Sequence, residues 1–267
     1  MDDSFSLSSR RNDLLQKLER DLALLREGDQ MAILAFDGAH IDVLCGWTGE
    51  AGKLREAFGR ARQRPAKGGQ MLAHQRALEA DEDWIYTSSE SIGSGDSNRV
   101  GGPKVNEVEE ILGALGKRIS PEARTQLGKT AAAAAAALRG FEAPPGRKVL
   151  LLLSGAWSLS VAPQLYGPLV DAANRLGYTV YPVDASQSDP AQVTVLDQLA
   201  RATGGRVIAS AANDAFREVV ADSGSYYWLG FTPTWKADDR RHQVTVEIRR
   251  PGLVVRSRKD FSDLSRR

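Results

Sequence analysis

One carboxylate and two hydroxyls stand at alternating positions near the start of the chain, as Asp2, Ser4 and Ser6. Oxygen donors of this kind suit Mg²⁺, a hard cation that takes a near-octahedral shell and usually keeps some water. Short Ser/Asp clusters also cap helices, because a side-chain oxygen accepts the free N–H groups of the first turn. On that plainer reading Ser8 or Ser9 caps the amphipathic run Asp13–Arg26 and no metal is involved. So short a motif cannot separate the two readings, and the rest of the chain must do so.

Other chemistry falls away on inspection. Gly128-Lys129-Thr130 resembles the end of a phosphate-binding loop, but that loop needs a glycine five residues earlier and a strand leading in. Position 123 is Ala and the preceding segment reads as helix. No GxGxxG lies between a strand and a helix, and no GxSxG elbow is present. His40, His74 and His242 are scattered over a turn, a helix and a strand, while Asp37, Asp171 and Asp184 are separated by whole elements. Neither set forms an acid/base pair, so the residues point to a non-catalytic protein. A single cysteine, Cys45, excludes an intrachain disulfide framework and a CxxC metal cluster. A net charge of +1 gives no field that favours nucleic acid or an anionic membrane. No stretch approaches the roughly 20 apolar residues of a membrane span. Compartment is not readable from the chain.

The elements that must position these residues follow from hydrophobic period. Leu14, Leu15, Leu18, Leu22 and Leu25 form one stripe on a helix over Asp13–Arg26, ended near Gly28. Met31–Phe36 is short, apolar and nearly continuous, a buried strand. Asp37-Gly38 turns the chain into an antiparallel return over Ile41–Trp47, and Thr48–Arg62 resumes a helix. Met71–Ala80, Val105–Leu115 and Pro121–Arg139 read as helices, and the polar, Gly/Ser-rich stretch 80–105 as a mobile surface loop. The alanine run Ala131–Ala137 lets its helix lie close to a sheet. Val149–Leu153 is a fully buried parallel strand, followed by a helix over Ala162–Leu176 and a strand over Tyr178–Asp184. A helix over Asp189–Thr203, a short strand over Arg206–Ala209 and a helix over Asp214–Ala221 complete the alternation. Strand alternating with helix predicts an α/β fold with a doubly wound, mostly parallel Rossmann-like sheet. Three further β-runs, Tyr226–Phe231, His242–Arg249 and Leu253–Arg258, predict an antiparallel β-hairpin extension. The expected division is therefore an α/β domain over 1–222 and a β extension over 223–267.

Six segments together resemble a bacterial von Willebrand factor type A (VWA)-related family of the kind known from Acidobacteria. They are Asp-Asp-Ser-Phe-Ser with its following helix, Gly-Asp-Gln-Met-Ala-Ile-Leu-Ala-Phe-Asp at 28–37 and Pro-Gly-Arg-Lys-Val-Leu-Leu-Leu-Leu-Ser-Gly at 145–155. The others are Leu-Ala-Arg-Ala-Thr-Gly-Gly-Arg at 199–206, Tyr-Tyr-Trp-Leu-Gly-Phe-Thr-Pro-Thr at 226–234 and Arg-Arg-Pro-Gly-Leu-Val-Val-Arg-Ser-Arg at 249–258. Only residues 80–120 lack a counterpart. The resemblance implies a sheet with its first strand at the centre and a metal-ion-dependent adhesion site on the carboxyl rim. There a DxSxS loop, a threonine from a second loop and an aspartate from the fourth strand's loop hold Mg²⁺, and a partner protein's carboxylate completes the shell.

The chain departs from that pattern twice. Gly68-Gly69-Gln70-Met71 stands where Gly-x-Thr is expected, and Ser154-Gly155-Ala156-Trp157 where Ser-Asp-Gly is usual. What remains is an incomplete metal set of Asp2, Ser4, Ser6 and Ser154, for which weak Mg²⁺ binding is the expectation because affinity falls with ligand charge. Gly69, Gln70, Gly155 and Trp157 would form the partner-binding rim. The implied function is a protein-interaction module of adhesion type with a degenerate metal site and a protein partner. Two alternatives stay open: a Rossmann-like enzyme or small-anion binder using the same rim, and a structural module of an envelope assembly. No strand precedes Asp2, although the resemblance places one there. Met1 is thus expected to be a boundary or misassigned start, with roughly 5–8 apolar residues reading directly into Asp2.

Overall fold

The structure is a computed structural model that describes residues 1–70, 73, 121–155, 163–185, 193–208, 215–227, 229–230, 232, 240–253, 255–258 and 260–262. Helix α1 spans Ser8–Arg20 and tightens into a 3-10 turn, Asp21–Leu24. It buries Leu14, Leu15 and Leu18 as the leucine stripe requires, but it starts earlier than predicted. Neither serine caps it. Leu7 is the N-cap residue and makes no side-chain cap bond, so Ser8 and Ser9 lie inside the first turn. The plain capping account of the Asp/Ser cluster therefore fails.

Strands β1 (Met31–Phe36) and β2 (Ile41–Thr48) form an antiparallel hairpin. The turn is held by the Asp37 carboxylate, which accepts the amides of Ala39 and His40 at 2.8 and 2.7 Å. Helix α2 (Ala51–Gln63) buries Leu54, Ala57, Phe58 and Ala61, one stripe at helical spacing. Helix α3 (Pro121–Gly140) buries Leu127, Ala131 and Ala135 and packs its small side chains against helix α4 (Pro163–Leu176). The helices expected over 71–80 and 105–115, and the loop over 80–105, lie outside the described residues.

Strands β3 (Lys148–Ser154) and β4 (Tyr178–Asp184) pair in parallel along their whole length. Helix α5 (Val193–Ala202) joins α3 and α4 on one face, where Leu152, Leu169, Val180 and Leu199 form one core. Helices α1, α2 and α6 (Ala215–Gly224) cover the other face, with Leu15, Phe58, Leu153, Tyr181 and Phe216 in a second core. The chain is thus mixed α/β, with three two-stranded sheets among the described residues, one of them parallel. β4 is buried throughout. β3 is not fully buried as predicted, since only Leu152, Leu153 and Ser154 are buried and Lys148–Leu151 are half-buried.

Two further expectations are corrected. Of the strand expected over Arg206–Ala209, the described residues 206–208 form one bridge, Val183 with Ile208, and Ala209 lies outside them. Ile208 N–H donates to the Pro182 carbonyl at 2.9 Å, but Pro182 has no N–H to return along that edge, which shortens the ladder. At the carboxyl end only β5 (Arg241–Gln243) and β6 (Asp260–Ser262) pair, antiparallel, among the described residues. Val244 and Val246 alternate with exposed neighbours, yet no edge pairs with them among the described residues, and alternation alone makes no strand. Arg256 pairs instead with Asp222 on α6, and Arg258 donates to the Gly177 carbonyl before β4.

Between β1 and β3 the chain's first two residues form a bridge. The Met1 ammonium donates to the Leu34 carbonyl at 2.8 Å, and Phe36 N–H returns to the Met1 carbonyl at 2.9 Å. Asp2 N–H donates to the Leu153 carbonyl at 2.8 Å. Met1–Asp2 therefore runs parallel to β1 and touches both strands at their carboxyl ends.

Candidate functional site

Asp2 leaves this bridge with its side chain 1% exposed. Its Oδ1 accepts Ser4 N–H at 2.9 Å, and its Oδ2 accepts the hydroxyls of Ser154 at 2.7 Å and Thr130 at 3.2 Å. One carboxylate thus gathers donors from its own loop, from the end of β3 and from the middle of α3. Burial pushes the Asp2 carboxyl above its usual range, and the bonds from Ser154, Ser4 and Thr130 offset this only in part.

The loop after Asp2 crosses the ends of β3 and β4. Leu7 N–H donates to the Ala185 carbonyl at 3.2 Å, and Ala185 N–H donates to the Ser154 carbonyl at 2.9 Å. Asp184 is buried and stands in register with Ser154. The segment after α2 lies against the loop's other side: Lys67 N–H reaches the Asp3 carbonyl at 2.7 Å and Gly68 N–H the Ser6 carbonyl at 3.2 Å. A Cβ on Gly68 would sit 2.6 Å from the Phe5 carbonyl oxygen, so only glycine allows this approach.

Of the residues read from the sequence, Asp2 and Ser154 meet directly. Ser4 contributes its amide to Asp2, while its hydroxyl accepts Gln126 Nε2 at 3.2 Å. The Ser6 hydroxyl donates to the Asp2 carbonyl rather than joining the carboxylate. Gly69 and Gln70 are exposed beside the loop, and Gly155 is buried after Ser154. Trp157 and Met71 lie outside the described residues. The threonine hydroxyl sought near Gln70 comes instead from Thr130, inside a helix read from the sequence only as packing.

Sequence reasoning also missed what holds the loop. Asp3 is fully buried, with Arg11 Nη1 at 2.6 Å from one oxygen and Arg64 Nε at 2.7 Å from the other. Arg11 is fully buried too and donates to the Arg64 carbonyl at 2.7 Å. Arg64 also pairs with Asp42 on β2 at 2.8 Å. Carboxylate and guanidinium so placed satisfy each other's charge, which is what allows them to be buried. The signal was present: Arg11 stands three, four and seven residues before Leu14, Leu15 and Leu18, on the apolar stripe itself.

No group of three His, Cys, Asp or Glu residues poised for a metal occurs among the described residues. The donors around Asp2 nevertheless fit a hard cation. They are oxygens only, and the hydroxyls of Ser154 and Thr130 can turn from donating to the carboxylate to accepting a cation. One carboxylate supplies little charge, so the fit is to weak binding. No known protein-family profile matches this chain, and no curated protein matches it.

Proposed function

We propose that the chain is a non-catalytic, VWA-like protein-interaction module on a doubly wound sheet. Its partner surface is the rim around Asp2–Ser6, Gly68–Gln70 and Ser154–Gly155, of which Gly69 and Gln70 are exposed, and Trp157 is proposed to join it. The observation that carries this reading is the convergence of Ser4, Thr130 and Ser154 on the buried Asp2 carboxylate, from positions up to 152 residues apart. Asp2, Thr130 and Ser154, with Ser4 beside them, would hold Mg²⁺, which when bound offers a positive centre for a partner's carboxylate. The carboxylate and hydroxyl donors lie where three chain segments meet, the arrangement an adhesion-type rim needs. Among the described residues no helix is long and apolar enough to cross a membrane.

Calorimetric titration with Mg²⁺ and Mn²⁺ tests the reading. The expected dissociation constant is about 10⁻⁴ M or weaker, and Asp2→Asn should remove the heat of binding. Sub-micromolar affinity would require a second carboxylate, with Asp184 the first to substitute. A thermal-shift screen of nucleotides and phosphorylated metabolites separates the enzyme class. Saturable stabilisation by one of them, lost in Ser4→Ala and Ser154→Ala, would sink the interaction-module reading.

A further inference from the structure

Helix α3 sends two side chains to the Asp2 loop, Gln126 and Thr130, which stand one turn apart and so share a face of the helix. Thr130 meets the Asp2 carboxylate, and Gln126 meets the hydroxyl of Ser4. Gln126 is half-buried, and its Nε2 donates to Ser4 Oγ at 3.2 Å and to the Gly38 carbonyl at 3.3 Å. A carbonyl can only accept, so the nitrogen end of the amide must face the loop. The hairpin turn closes in from the other side. Gly38 has φ +102°, and a Cβ there would lie 2.9 Å from Ser4 Oγ and 3.0 Å from Gln126 Nε2. Lys67 Nζ holds the same turn through the Asp37 carbonyl at 3.2 Å. Ser4 Oγ thus sits between the turn and α3 with an N–H donor aimed at it. Thr130 differs, because its hydroxyl is itself the donor, to Asp2 Oδ2.

We propose that Gln126 sets the cation affinity of the Asp2 site, committing the Ser4 hydroxyl to the hairpin turn and keeping the site to one carboxylate. The inference rests on the metal reading of the rim and adds the residue that keeps binding weak. An oxygen that coordinates a cation turns a lone pair to it, and an N–H donor on that oxygen occupies a lone pair and presents its positive end there. Affinity for hard cations also rises with the charge of the ligands. A glutamate at 126 would put a carboxylate oxygen where Nε2 now lies, beside Ser4 Oγ and on the face of α3 that carries Thr130. Without a cation, that oxygen would face the Gly38 carbonyl, acceptor against acceptor, and the bond now made there would be lost. One substitution should therefore weaken the metal-free chain and tighten its cation binding.

The test is calorimetric titration of the full chain, Gln126→Glu and Gln126→Met with Mg²⁺, with the Tm of each recorded in EDTA and in Mg²⁺. Gln126→Glu should bind Mg²⁺ at least about tenfold more tightly than the native chain. It should also melt lower in EDTA and recover as Mg²⁺ is added. Gln126→Met removes the donor and adds no charge, so its affinity should fall between those of the native chain and Gln126→Glu. A residue that merely fastened the turn would give another pattern, with Tm and Mg²⁺ affinity falling together in both variants. That pattern overturns the proposal. If Gln126→Glu fails to fold, Gln126→Met decides, and binding no tighter than native overturns the proposal. Measurable native binding that Gln126→Glu does not improve sinks this inference and leaves the metal reading standing. No binding by any of the three chains sinks both.

Discussion

The two edges of β3 meet opposite fates. Towards β4 every residue from Lys148 to Ser154 has a register partner, and β4 is buried from end to end. Towards β1 the described contact is the two-residue bridge Met1–Asp2, and the first half of β3 is half-buried. Within β3 the half-buried Leu150 and Leu151 and the buried Leu152 and Leu153 are chemically identical, so the difference comes from their surroundings rather than from composition. A continuous apolar run predicts burial on both faces only when both edges are occupied. Directly after the bridge, Asp3 is buried and held between Arg11 and Arg64.

The largest effect should come from releasing that hold. Arg11→Met leaves the buried Asp3 carboxylate with Arg64 alone and should cost about 3–5 kcal/mol in urea unfolding. A loss below about 1 kcal/mol would show that the open side does not depend on the ion cluster. Next comes a contrast within β3 itself. Leu152→Ala, in the closed core, should cost about 2–5 kcal/mol, and Leu151→Ala less than half as much, because its surroundings are already partly open. Equal losses would erase the asymmetry.

The smallest effect belongs to the closed side and appears only in alkali. The Tyr181 hydroxyl on β4 donates to Asp222 at 2.6 Å, and its burial, with that carboxylate, pushes its pKa up to about 12. The unfolded chain releases the same proton near pH 10. A folded pKa above the unfolded one gives stability that is complete below about pH 10 and is lost as pH rises towards about 12. Denaturation followed across that range should show the loss in the native chain and a flatter profile in Tyr181→Phe. Identical profiles would mean that this hydroxyl is not held as described.

Much of the fold was legible because it rests on local pattern. The leucine stripe of α1, the hairpin of β1 and β2 and the parallel pair of β3 and β4 are each announced by apolar spacing over a few residues. Asp2 was legible as a candidate from its spacing with Ser4 and Ser6, and Ser154 only through the resemblance of the segment that holds it. Thr130 was not, because nothing near it in an alanine-rich helix reports a carboxylate 128 residues away. Arg11 was readable in principle, as a charge in register with an apolar stripe, but its partners Asp3 and Arg64 come together only through the fold. Among the described residues the carboxyl-terminal β-runs pair only at Arg241–Gln243, because pairing needs a neighbouring edge, which no local pattern encodes. The shrinkage of the strand at Ile208 traces to one proline on the strand beside it.

Native-state hydrogen exchange along β3 tests the asymmetry most directly. The amides of Leu150 and Leu152 point to β4, and those of Val149 and Leu151 point to the opposite edge, towards β1. In the chain alone the second pair should exchange about 10²-fold faster or more, giving protection that alternates residue by residue. Uniform protection of all four amides in the chain alone would contradict the account, because both edges of β3 would then already be paired.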